Sequence, residues 1–179
     1  MKEKIWLKPE MIVALSAVLV SVFAVIVGVY SAYTDRTYAR ASVWPNVVIG
    51  RHTQVSNTEE KASFAIFLDS SGLGPAKLKY TYLEFAGREI NSWQELVAPY
   101  EKRLQGRNIS SANITQTVIP ANKRIEVFKL ESQNLAVMEN FIADMSKLSV
   151  ELCYCSVYEQ CWSVKSDTKA IPVEICPVE

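Results

Sequence analysis

The chain has 179 residues, 49% of them hydrophobic, with 19 lysines and arginines balanced by 19 aspartates and glutamates and a single histidine. Zero formal charge, with no basic stripe interleaved with aromatics, argues against a nucleic-acid partner. Any Ser/His/Asp or Cys/His apparatus would have to be built around the sole histidine, His52, between Arg51 and Thr53 in an expected loop, and none is expected.

Residues 1–10 are a short basic segment with Lys2, Lys4, Lys8 and Trp6. From Met11 to Tyr33 no residue is charged. At about 1.5 Å per residue such a helix extends roughly 34 Å, enough to cross a hydrocarbon core about 30 Å thick. The run reads as a transmembrane helix. A cleavable secretory signal is the competing reading, with Ala39-Arg40-Ala41 as a small-x-small site. The apolar run exceeds the usual signal core, so an uncleaved anchor fits better. Tyr30, Tyr33 and Tyr38 at its end suit the headgroup region.

Within the span, Ala14, Ala17, Ser21, Ala24, Gly28 and Ser31 recur at spacings of three and four, forming one small-residue stripe. Helices in lipid associate through close backbone packing at such faces. The stripe therefore predicts contact with a membrane protein partner or with further copies of the chain as a homo-oligomer, Leu15, Val18, Val22, Val25 and Val29 being left to the lipid bilayer. Residues 34–42 read as a polar juxtamembrane neck.

Residues 43–179 have the size of one domain, with a net charge near minus two, and their patterns are mostly strands. Strands are expected over 43–49, 62–68, 76–85, 114–119, 124–130, 148–157, 161–165 and 171–175. In the third, Leu78, Tyr80 and Tyr82 should share one face and Lys77, Lys79, Thr81, Leu83 and Phe85 the other. Two helical segments interrupt them. Ser92 and Glu95 form a capping box for the first, which Pro99 should interrupt after Trp93, Leu96 and Val97. Ser132 should cap the second, with Leu135, Met138, Phe141, Ile142 and Met145 on its packing face.

All four cysteines, Cys153, Cys155, Cys161 and Cys176, fall at the C-terminal end, around a hairpin turning at Tyr158-Glu159-Gln160. Their C-x-C-x5-C-x14-C spacing lacks the paired knuckles of a zinc site, and an even, clustered set suits disulfides in an oxidising compartment. Three pairings are open. The period of two places Cys153 and Cys155 on one strand face, which favours Cys155 with Cys161 across the hairpin and Cys153 with Cys176. No cofactor, metal or catalytic set is expected. Ser70 and Ser71 stand in a glycine-bearing turn without a phosphate-binding lysine, Glu59-Glu60 belong to a solvated stretch, and Asn108-Ile-Ser and Asn113-Ile-Thr matter only in a eukaryotic secretory pathway.

Short half-buried strands between turn signals predict a mainly β fold: a single transmembrane helix followed by an antiparallel, immunoglobulin-like β-sandwich with one or two helical insertions. The stretch LDSSGLGPAKLKYTYLEFAGREI, residues 68–90, and the hairpin CYCSVYEQCW, residues 153–162, resemble passages in uncharacterised bacterial single-span membrane proteins with an immunoglobulin-like extracytoplasmic domain. The resemblance implies a bacterial envelope protein with no assigned activity, and the bacterial inner membrane is the expected location. Charge on the two flanks leans slightly toward a cytoplasmic N-terminus. The cysteines then place the C-terminal domain in the periplasm. The expected role is that of a non-catalytic interaction or accessory protein, with a membrane-anchored ligand-binding sensor as the alternative.

Overall fold

The computed structural model describes residues 9–56, 61–104, 106–114 and 116–177. Lys2, Lys4, Trp6, Lys8, Glu59, Glu60 and Thr115 lie outside the described residues. The chain divides into two compact units, one ending at Ser42 and the other beginning at Val43.

The described residues of the first unit form one helix, α1, over Pro9–Ser42. Proline is favourable at a helix start, where its missing N–H is not needed, and Glu10 in the first turn and Arg40 in the last complement the helix dipole. Ser16, Ser21, Thr34 and Thr37 donate their hydroxyl protons to the carbonyls of Val13, Ala17, Tyr30 and Tyr33 at 2.7–3.0 Å, so these polar groups are satisfied without water. The polar neck expected over 34–42 is a continuation of this helix. Nothing in Thr34–Ser42 breaks a helix, and the stop comes only where Pro45 disfavours α conformation at Trp44. The six residues of the small stripe all lie on α1, and all are exposed.

The second unit contains two antiparallel sheets. In the first, β1 (Val47–Ser56) pairs with β2 (Lys61–Ser70), β2 with β7 (Lys123–Ser132), and β7 with β5 (Asn108–Ser111). In the second, the order runs β10 (Ile171–Val173), β9 (Cys161–Lys165), β8 (Leu148–Cys155), β3 (Ala76–Phe85) and β4 (Arg88–Glu89), while β6 (Val118–Ile119) pairs with the start of β3. Helix α2 (Trp93–Val97) precedes β5, and α3 (Leu135–Asp144), with a single 3-10 turn Met145–Lys147, links β7 to β8.

One core joins these layers. Phe64, Ile66, Leu68, Phe128 and Leu130 from the first sheet cluster with Leu78, Val150, Leu152, Tyr154 and Val164 from the second, and Trp93, Leu96, Met138 and Phe141 close it from the helices. Each such side chain contributes about 1.5–3 kcal/mol on leaving water. Phe128 is central, stacked on Trp93 with centroids 5.5 Å apart and tilted against Phe64 and Phe141.

Several local expectations are corrected. In β3 a register shift between Leu78 and Tyr80 reverses the alternation, so Ala76, Leu78 and Leu83 are all buried although strict alternation would separate Leu78 from Leu83. The strand expected at 114–119 is reduced to the two-residue β6, while β5, over Asn108–Ser111, precedes that stretch and was not expected. β5 is mostly exposed, with only Ile109 packed on the core, and four polar-rich residues carry no readable alternation. The expected strand at 43–49 starts at Val47. His52 stands in β1 opposite Ala65 instead of in a loop.

The helix starts differ too. Asn134 caps α3, its side-chain oxygen accepting from Val137 N–H at 3.3 Å, while Ser132 ends β7 and its Oγ accepts from Asn134 N–H at 3.2 Å. At α2 the Ser92 side chain makes no capping bond, and Glu95 accepts from Asn91 N–H at 3.0 Å. The helix ends at Val97, before Pro99, and turns carry Tyr100 and Leu104 into the core.

Candidate functional site

Two features of the second unit stand apart from core packing. The first is a clasp on the segment Val43–Asn46, where α1 gives way to β1. The turn after β2 lies along it: Ser71 N–H donates to Asn46 O at 2.9 Å, and Leu73 and Gly74 N–H donate to Trp44 O at 3.0 and 3.3 Å. Asn46 Nδ2 adds a bond to Ser71 Oγ at 2.9 Å. A Cβ on Gly72 would overlap the backbone of Trp44 and Asn46, and one on Gly74 would overlap Val43. The two glycines of Ser-Gly-Leu-Gly-Pro are therefore needed for close approach of the entering backbone, which accounts for this turn better than any phosphate-binding role.

Aromatics support the clasp. Trp44 meets Trp162 edge-on at 6.5 Å, and Trp162 stacks on Tyr154 at 5.9 Å. Tyr154 is fully buried, and its hydroxyl accepts from Val47 N–H at 3.2 Å, joining the second sheet to the first residue of β1. Burial pushes its phenol above the usual range, opposed by that donated bond.

The second feature is the sulfur-fastened outer face of β8 and β9. Cys155 is bonded to Cys161, its cross-strand partner, with Cα atoms 4.0 Å apart, and Cys153 is bonded to Cys176 beyond β10. The C-terminal segment is thus strapped over the sheet, with Tyr80 and Val173 packed on the sulfurs. Sγ of Cys155 lies 3.7 Å from Sγ of Cys176. The sulfurs of Cys155, Cys161 and Cys176 all fall within 4.8 Å of one another, a convergence that the two bridges account for.

These three cysteines line a groove of about 560 Å³ whose walls include Lys77, Lys79, Glu159 and Glu174. Glu159 takes a left-handed conformation at the hairpin turn, with φ of 58°. From there its carboxylate meets Lys77 Nζ at 3.2 Å and Lys79 Nζ at 3.7 Å. The hydrogen bond from Lys77, with the charge of Lys79, holds this carboxyl below the usual range. Sequence reasoning missed this cluster, because Lys77, Lys79 and Glu159 come together only when the β8–β9 hairpin is laid beside β3.

A smaller recess of about 450 Å³, between β3 and the segments flanking α2 and β5, is lined by Thr81, Glu89, Asn91, Gln94, Ser111 and Asn113 among others. Of the residues singled out from sequence, the cysteines converge; the small-residue stripe belongs to the other unit, His52 is an exposed strand residue, and Ser70 is buried at the end of β2.

A scan against protein-family models, a search of curated proteins and a search of solved structures returned no match for this chain.

Proposed function

We propose that the chain is a single-span, membrane-anchored interaction protein without catalytic activity, whose helix packs in a membrane assembly and whose extracytoplasmic domain contacts a protein partner. The observation that carries this reading is α1: a helix long and apolar enough to cross a membrane, none of whose most apolar stretch is buried within the chain. Water does not tolerate so large an apolar surface, and lipid does. The stripe from Ala14 to Ser31 supplies the packing face for a partner helix or another copy.

Strand order supports an immunoglobulin-like sandwich. The first sheet, β1-β2-β7-β5, corresponds to an A-B-E-D arrangement, and β9-β8-β3-β4 to G-F-C-C′. Two disulfides favour an oxidising compartment, hence a periplasmic domain and a cytoplasmic N-terminus at a bacterial inner membrane. The clasp holds Val43–Asn46, the segment before β1, against the turn after β2.

A second reading, a ligand-binding sensor, is favoured by the groove and the polar recess. Purification of the full chain in mild detergent separates the two. A stoichiometric membrane partner or a stable homo-oligomer supports the assembly role; a lone monomer whose melting temperature rises with a small molecule overturns it in favour of sensing. Labelling of cysteines in intact cells, before and after reduction, tests the orientation independently.

A further inference from the structure

The two bridges do not behave as separate staples in space. Cys155 and Cys176 belong to different disulfides, yet their sulfurs are 3.7 Å apart, the separation of atoms in van der Waals contact. Cys155, Cys161 and Cys176 face the same groove, while Cys153 does not line it. Lys77 stands directly opposite Cys155 in the β3–β8 ladder, so its ammonium shares that face. A cation beside a cysteine favours the thiolate, the form that attacks disulfides. The charged groups of the groove are Lys77 and Lys79 with Glu159 and Glu174, and both lysines are drawn toward the hairpin turn by Glu159.

We propose that this groove is a thiol–disulfide exchange site, in which a reducing dithiol entering at Cys161 passes its electrons through Cys155 to the Cys153–Cys176 bridge. The dithiol's thiolate forms a bond to Cys161 Sγ, the Cys155–Cys161 bond breaks, and Cys155 leaves as a thiolate. Cys155 then attacks Cys176 Sγ across the contact, forming a Cys155–Cys176 bond and releasing Cys153 as a thiolate. The second thiol of the dithiol attacks its own bound sulfur and frees Cys161. In sum the dithiol is oxidised to a disulfide, the protein exchanges two bridges for one, and the two protons from the dithiol end on Cys153 and Cys161. The C-terminal strap stays fastened in the product, now to the residue that faces the groove. The hairpin loses its cross-link, and Cys161 becomes a free thiol. Cys161 is the most exposed of the four sulfur residues, at 8% against 2–5% for the others, which makes it the point of entry.

The exchange rests on the groove of the β domain and holds whether or not α1 spans a membrane. Two measurements on the full chain in detergent micelles test it. In the first, the wild-type protein is treated with limiting dithiothreitol, quenched in acid, alkylated with N-ethylmaleimide and cleaved after Tyr154, which separates Cys153 from Cys155. The expected singly bridged species carries Cys155–Cys176, with label on Cys153 and Cys161. Label confined to Cys155 and Cys161, or to Cys153 and Cys176, overturns the proposal. In the second, Cys153→Ser leaves Cys176 as a thiol against the intact Cys155–Cys161 bridge. Exchange yields a measurable share of molecules with Cys155–Cys176 and labelled Cys161. Stoichiometric label on Cys176 alone, with the hairpin bridge untouched, overturns it independently.

Discussion

Gly74 lies directly beneath the backbone of Val43, so closely that a methyl group on it would occupy the space of the Val43 carbonyl. The turn after β2 is thereby committed to receiving the segment that connects α1 to β1. Gly74→Ala should destabilise the β domain by about 1–3 kcal/mol, because the displaced group is backbone and has little freedom to give way. The loss should appear as a lower melting temperature for the full chain in detergent. Gly87→Ala, where a Cβ meets nothing but the φ of 77° is unfavourable, should cost less, about 1 kcal/mol. Equal effects would contradict the clasp.

The two disulfides should differ in worth. Cys153–Cys176 closes a separation of 23 residues and Cys155–Cys161 one of 6. On the loop-entropy account the first stabilises by about 3.4 kcal/mol and the second by about 2.2 kcal/mol. Double serine variants, C153S/C176S and C155S/C161S, measured by denaturant unfolding, should keep that order.

Phe128, on β7, is the side chain on which β2, α2 and α3 meet, through the rings of Phe64, Trp93 and Phe141. Phe128→Ala should cost about 3–5 kcal/mol, a large part of the roughly 5–15 kcal/mol that holds a folded domain together, and should lower yield of the folded protein. Leu73→Ala, at an exposed turn, should be nearly neutral in the same unfolding measurement.

Tyr100 donates a hydrogen bond to Asp144 and meets Phe141 edge-on at 5.4 Å. Burial, followed by the bond to Asp144, raises its phenol from 10.0 to about 12. A group raised in the folded state stabilises fully below its unfolded value and loses that contribution as pH climbs through the folded one. Stability should therefore decline between pH 10 and about 12. Tyr100→Phe should lower the plateau and remove this part of the alkaline slope, followed as melting temperature against pH.

Gly28 has open space around it, and nothing within the chain opposes a larger side chain there. Gly28→Ile should leave the melting of the β domain unchanged while weakening any association through α1, read as a shift in elution in mild detergent. A shift in melting with no change in assembly would contradict the proposed packing face.

Much of the architecture was legible in local pattern. An uncharged run from Met11 to Tyr33 reads as a helix because hydrophobicity without breakers leaves the backbone no better solution. Strands such as β7 and β8 announce themselves because several alternating residues face one core. β5 was hidden because its four residues gain their partner from β7, not from their own sequence. The bulge in β3 was hidden because strand register is a property of the pair of strands.

The sequence by itself determined which segments are apolar, which turn, and that four sulfurs crowd the last strands, since these depend on side-chain chemistry and near neighbours. Only tertiary structure decided that Gly72 and Gly74 cradle the entering chain, that Lys77, Lys79 and Glu159 share a groove, and that Cys155 touches Cys176 across two bridges. Those relationships join residues far apart along the chain, and distance between them is set by how sheets pair and pack, which no local window contains.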